Sequence, residues 1–148
     1  MGVFDRKPKS ISEVTLTPQE AMLGVILCIS ASDGDISKRE LERMAEILST
    51  HRMFNGQTES QIKAGLNKIL AFMETDPVDQ IVQKCAVALP QNQRIVAFAL
   101  AVDIAMIDQN LHKGESAMLG LMASELGVEE GVMKTVVTIL AMKNGLID

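Results

Sequence analysis

Three carboxylates stand close together in the segment "ASDGDISKRE", residues 31–40: Asp33 and Asp35 on either side of Gly34, then Glu40 at the end. Carboxylate oxygens gathered in this way are the donors that hard divalent cations such as Ca²⁺ and Mg²⁺ accept. A second segment, "MIDQNLHKGE" (residues 106–115), echoes the first at a constant offset of 75 residues: Asp108 corresponds to Asp33, Asn110 to Asp35, Leu111 to Ile36, Lys113 to Lys38 and Glu115 to Glu40. Each copy follows a strongly apolar stretch and opens an amphipathic one, "LERMAEIL" or "SAMLGLMA". Matching context lifts a modest letter match to an expected internal helix-loop-helix duplication.

Two readings fit these loops. In the first they are turns and caps: Ser37 caps the exiting helix, Glu40 closes a capping box, and Gly34 supplies the turn. That reading leaves Asp33 and Asp108 unexplained. Each stands at the C-terminal end of a helix, where a negative charge costs about 0.3–1 kcal/mol. In the second reading a cation reverses the sign, because carboxylates and unpaired helix-end carbonyls are its ligands. The expected ligands are then Asp33, Asp35 and Glu40 in the first loop, and Asp108, Asn110 and Glu115 in the second. With three carboxylates against two and an amide, the first loop should bind more tightly, and both weakly. The layout is that of a shortened EF-hand, but its glutamate stands at loop position eight instead of twelve, and the glycine at six is missing.

Other polar residues suggest less chemistry. Asp103 interrupts "IVAFALAVDIAMI", and a buried carboxylate there calls for a partner such as a nearby helix end or a cation like Arg94. Cys28 and Cys85 lie inside apolar helical patterns and read as reduced, inert core thiols. His51 and His112 show no metal or catalytic spacing; His51-Arg52 suits the negative end of the preceding helix, and His112 occupies the position of Ser37, where an imidazole would add a ligand. The sequence has no Ser–His–Asp set, phosphate-binding glycine loop or CxxC, so no enzymatic activity is expected.

The elements that must position these groups are helices. "TPQE" combines Thr17 at N-cap, Pro18 at the first helical position and Glu20 three residues after the cap; "SKRE" and "TESQ" are further capping boxes. Asp76-Pro77 opens another helix, Pro90 divides two more, and Gly127 and Asn144-Gly145 supply stops. Seven helices are expected, near 18–32, 38–52, 58–74, 77–88, 91–107, 113–126 and 128–143, with short connections that make successive helices neighbours. The first and fifth are apolar nearly all round, the pattern of central, buried helices. The predicted fold is an all-α single-domain bundle over residues 16–148, preceded by a flexible tail over 1–15.

Composition narrows the function classes. The chain is 47 % hydrophobic, with ten Met, four Phe and no Trp or Tyr, so its core must be aliphatic. A net charge of −5 and a pI near 5.0, without a basic stripe, argue against nucleic acid as a partner. The first twenty residues are polar with no signal-peptide core, and Arg6 stands where myristoylation wants Ser or Thr. No apolar run reaches the roughly 18 residues of a membrane span. A cytoplasmic protein without direct membrane insertion is the expectation.

Two copies of an apolar helix followed by an "AxDGxIxxxE"-type loop and an amphipathic helix resemble the TerB tellurite-resistance family. The resemblance runs from about Leu16 to Leu146 and is strongest over Ala31 to Glu40. It implies a cytoplasmic helical stress module that binds a divalent cation through Asp33, Asp35 and Glu40 and works beside a protein partner, a membrane protein of the same stress system. Asp108 and Glu115 carry over as well, whereas Gln109 stands where glycine is usual and Asn110 weakens the acidic set. The competing function is a protein-interaction scaffold whose acidic loops are only turns and caps. Its support is the methionine content of the C-terminal half (Met106, Met118, Met122, Met133, Met142), since Met-rich faces adapt to partner helices.

Overall fold

The computed structural model describes residues 10–30, 36–107 and 116–147. It contains seven α-helices: α1 (Pro18–Ser30), α2 (Lys38–Ser49), α3 (Glu59–Met73), α4 (Val78–Ala88), α5 (Gln91–Ile107), α6 (Ser116–Glu125) and α7 (Glu130–Lys143). Two 3-10 turns, Ile11–Glu13 and Arg52–Phe54, complete the described elements, and no strand occurs among the described residues. The protein is all-α, as expected.

Helix starts follow the sequence chemistry closely. Thr17 and Glu20 exchange backbone bonds of 2.9 and 3.1 Å, and Thr58 and Gln61 do the same at 2.8 and 3.1 Å. These reciprocal boxes satisfy amide donors that a helix start otherwise leaves orphaned, a contribution of about 1 kcal/mol each. Gly127 and Gly145 end α6 and α7 with φ of +70° and +72°, the left-handed backbone that glycine adopts without strain.

The core is built around α1. Every residue from Ala21 to Ser30 is buried, a run that only a helix enclosed on all sides can sustain. It packs most extensively on α5 and α4, then α3, with α6 touching it as well. The outer helices contribute single stripes, such as Leu41, Met44, Ala45 and Leu48 of α2 and Ile62, Leu66, Ile69 and Phe72 of α3. α5 departs from the expectation of a helix buried all round. Its second half is enclosed through Ala101, Val102, Ile104 and Ala105, whereas Ile95 and Val96 near its start are exposed.

Two local readings are corrected. Asp76 does not cap α4; Pro77 holds the cap position, and no side chain closes it. The Asp76 carboxylate instead accepts from the Ser10 hydroxyl at 2.9 Å and from the Ile11 amide at 3.1 Å. This clamp docks the 3-10 turn at Ile11–Glu13 on α4, with Ile11 only 1 % exposed while Ser12, Glu13 and Thr15 face solvent. His51 likewise does not serve the end of α2. Its Nδ1 accepts from the Met53 amide at 3.3 Å and so caps the following 3-10 turn.

One close approach fixes how α1 meets α4. A Cβ built on Gly24 would collide with Cys85 Sγ, so the absence of a side chain at 24 makes room for the thiol. Gly24→Ala should therefore destabilise the protein by about 1–3 kcal/mol through overpacking, despite the better helix propensity of alanine. Chemical denaturation measures this, and adding Cys85→Ala should recover part of the loss. A neutral Gly24→Ala, or no coupling between the two sites, would contradict the contact.

Candidate functional site

The acidic loops begin and end on described helices. α1 closes with Ser30, 3 % exposed, and has no basic residue in its last turn to neutralise its negative end. The Ser30 hydroxyl is buried without a hydrogen-bond partner. A buried hydroxyl without a partner is costly, and most such groups in folded proteins find one. On the far side of the loop, Ser37 lies in extended conformation and accepts from the Glu40 amide at 3.0 Å. Its hydroxyl donates to Glu40 Oε1 at 3.1 Å, so this carboxylate is folded back over the start of α2.

Of the six expected ligands, Glu40 is thus placed at a helix start. Asp33 and Asp35 of the first loop, and Asp108, Asn110 and Glu115 of the second, lie outside the described residues, as do Gly34 and His112. Among the described residues, no three His, Cys, Asp or Glu side chains come together in a group that could hold a metal.

Asp103 does have the expected kind of partner, but a different one. Arg94 is engaged elsewhere, its Nε donating to the Leu89 carbonyl at 3.1 Å at the end of α4. Asp103 receives Lys143 Nζ at 2.9 Å on both oxygens and Asn144 Nδ2 at 2.7 Å on Oδ1. Asn144 also donates to the Leu140 carbonyl at 2.9 Å, which joins α5 directly to the C-terminal cap of α7. The carboxylate is half-buried rather than fully enclosed, with 21 % of its side chain exposed.

The two cysteines are free and buried on α1 and α4. Burial pushes both thiols up, Cys85 to about 12 and Cys28 further, with the neighbouring Cys85 adding to the rise at Cys28. The thiolate is the nucleophile and the metal ligand, so neither cysteine is activated.

An open cleft between α1 and α3 is lined by Thr17, Glu20, Gln61, Gly65 and Lys68. Here Lys68 Nζ meets Glu20 Oε2 at 2.7 Å, so the cleft neutralises its own charges. Burial raises the Glu20 carboxyl, but the bond from Lys68, the bonds to Thr17 and the ammonium charge outweigh it and hold the group below its ordinary range.

These arrangements define a helical module in which the described carboxylates cap, clamp and join helices. The chain belongs to the TerB family: the family model described as Tellurite resistance protein TerB matches residues 19–136. Comparison with curated proteins and with solved structures gave no match.

Two measurements test these assignments. Asp103→Ala should destabilise by about 1–3 kcal/mol, because Asn144 and Lys143 lose their acceptor at a half-buried junction. Denaturation midpoints of the variant check it, and a neutral substitution would remove the junction from the stabilising set. Glu20 has a folded-state pKa below its unfolded value, so its contribution is present above the unfolded pKa and lost as pH falls through the folded one. Glu20→Gln should therefore flatten the acid limb of the stability–pH curve while leaving its slope near neutrality unchanged. An identical acid limb would show that Lys68 does not hold this carboxylate.

Proposed function

We propose that this protein is a non-enzymatic cytoplasmic stress module of tellurite resistance, whose acidic loops bind a divalent cation, Ca²⁺ or Mg²⁺, and which acts through a protein partner. Membership of the TerB family supports the resistance role. The observation that carries the cation is the buried Ser30 hydroxyl, unpartnered at the last residue of a helix whose last turn carries no basic side chain. Hydroxyl, helix-end carbonyl and carboxylate oxygens are all ligands that a hard cation accepts, and the first acidic loop begins at the next residue. Asp33, Asp35 and Glu40 would hold the ion in the first loop, and Asp108, Asn110 and Glu115 in the duplicated second. The bound ion would supply positive charge at a helix end and gather the loop. No helix among the described residues is long and apolar enough to cross a membrane, in keeping with a module that meets its membrane-protein partner from outside the bilayer.

One observation favours the second reading, an interaction scaffold without a cation. The Glu40 carboxylate is already hydrogen-bonded to the Ser37 hydroxyl, as a pure cap requires. Melting curves at constant ionic strength separate the two. A cation at a hundredfold excess over its dissociation constant should stabilise by about 2.7 kcal/mol, a rise of roughly 5–11 °C in Tm for a chain of this size. Asp33→Asn with Asp35→Asn should abolish the rise and slightly stabilise the metal-free protein, since two like charges leave a helix C-terminus. Equal curves with chelator and with millimolar calcium or magnesium would transfer the function to the scaffold.

A further inference from the structure

α7 carries two apolar faces. Met133, Val136, Val137, Leu140 and Ala141 pack inward, chiefly against α5. Across the helix, Val132, Thr135, Ile139 and Met142 follow one another at spacings of three, four and three residues, and all four are exposed. At about 100° per residue they share a sector roughly 80° wide, opposite the inward face. Val132, Ile139 and Met142 are 38, 58 and 53 % exposed, and Leu146 and Ile147, just past the Gly145 cap, are 52 and 50 % exposed. Five of the eight exposed large apolar side chains among the described residues thus fall within 132–147, a concentration and not a scatter.

The three-four-three spacing is that of a coiled-coil seam. We infer that α7 pairs antiparallel with α7 of a second molecule of this chain, about a two-fold axis level with Val136 and Thr138. Self-complementarity carries the choice of occupant. Antiparallel alignment sets Val132 against Met142 of the second molecule and Thr135 against its Ile139, so every layer joins a larger to a smaller side chain. One edge of the seam carries Glu129, Val136 and Lys143 at intervals of seven. The same alignment brings Glu129 opposite Lys143 of the second molecule, twice by symmetry, whereas parallel pairing sets neither against an opposite charge. The other edge is Gly131, Thr138 and Gly145, small residues that let two helices approach. Lys143 keeps its bonds to Asp103, because an ammonium has a third donor to offer. Glu130 and Lys134, the remaining charged residues in the first turns of α7, pair with each other at 3.1 Å, outside the seam. The paired helix is short, so the dimer is weak and depends on concentration.

Sedimentation equilibrium of the full chain, from micromolar to near-millimolar, should show a monomer–dimer equilibrium. Ile139→Lys should leave a monomer throughout with the circular dichroism of the parent at dilution, and Thr135→Glu, at a solvent-exposed site, should weaken the dimer at least about tenfold. A parent chain monomeric at every concentration, or a dimer indifferent to both substitutions, overturns the proposal. Orientation is read with a short bismaleimide, the native thiols being buried. Thr138→Cys, beside the axis, should cross-link to a dimer, whereas Gly131→Cys, level with Gly145 of the second molecule and about 21 Å along the axis from its own copy, should not. Parallel pairing would cross-link both, so cross-linking through Gly131→Cys would refute the antiparallel pairing.

Discussion

Burial of α1 on every side is the constraint on which the rest of the structure depends. Ten consecutive residues are removed from water, and each large aliphatic side chain contributes about 1.5–3 kcal/mol of transfer free energy. A helix so enclosed needs neighbours all round, which is why α3, α4, α5 and α6 are arranged about it. It also needs one of them to come very close, and the Gly24–Cys85 contact meets that need. With no Trp or Tyr to fill space, fit comes from branched aliphatics and from Met22, Met44, Met106 and Met122, all buried. The cysteines belong to this packing, and their burial withholds the thiolate chemistry that a redox role would require.

Polar groups in such a molecule work mainly at helix ends. Thr17 with Glu20 and Thr58 with Gln61 satisfy helix starts; Arg94 reaches the carbonyl of Leu89, the residue that follows α4; Asp103 gathers Lys143 and Asn144 at the end of α7. α7 is the least enclosed of the helices and leans chiefly on α5, so the Asp103 junction secures an element that hydrophobic burial alone holds loosely. Membership of the TerB family gives these features their setting, a resistance-linked helical domain.

Much of the fold was legible in the sequence because its signals are local. Capping boxes, Pro90 and the two stop glycines act within a turn of where they occur: the start of α5 follows from Pro90, and the ends of α6 and α7 from Gly127 and Gly145. What escaped is non-local. Asp76 looks like an N-cap because Pro77 follows it, yet its partners lie more than sixty residues earlier. Asp103 called for a cation, but sequence spacing could not choose Lys143, forty residues on, over Arg94. Periodicity on α7 was ambiguous for another reason: both faces are apolar, so the exposed seam reads as core until α5 shows which face is taken. Of the four described methionines in the C-terminal half other than Met142, Met106 and Met122 are buried and Met118 and Met133 pack against the core, while Met142 stands out in solvent. The acidic loops were the plainest chemical signal in the sequence, and of their six expected ligands only Glu40 lies among the described residues.

The clamp between Asp76 and Ser10–Ile11 has a consequence for the order of assembly. Of the helices near the start of the chain, α2 and α3 pack on each other as chain neighbours, and such short loops close early. The clamp spans 66 residues, so it forms only once α1 and α4 have already met and brought its ends together. The first turn of α4, which has no side-chain cap of its own, follows directly on Asp76. Ser10 and Ile11 are thereby tied to a helix whose sequence lies in the middle of the protein.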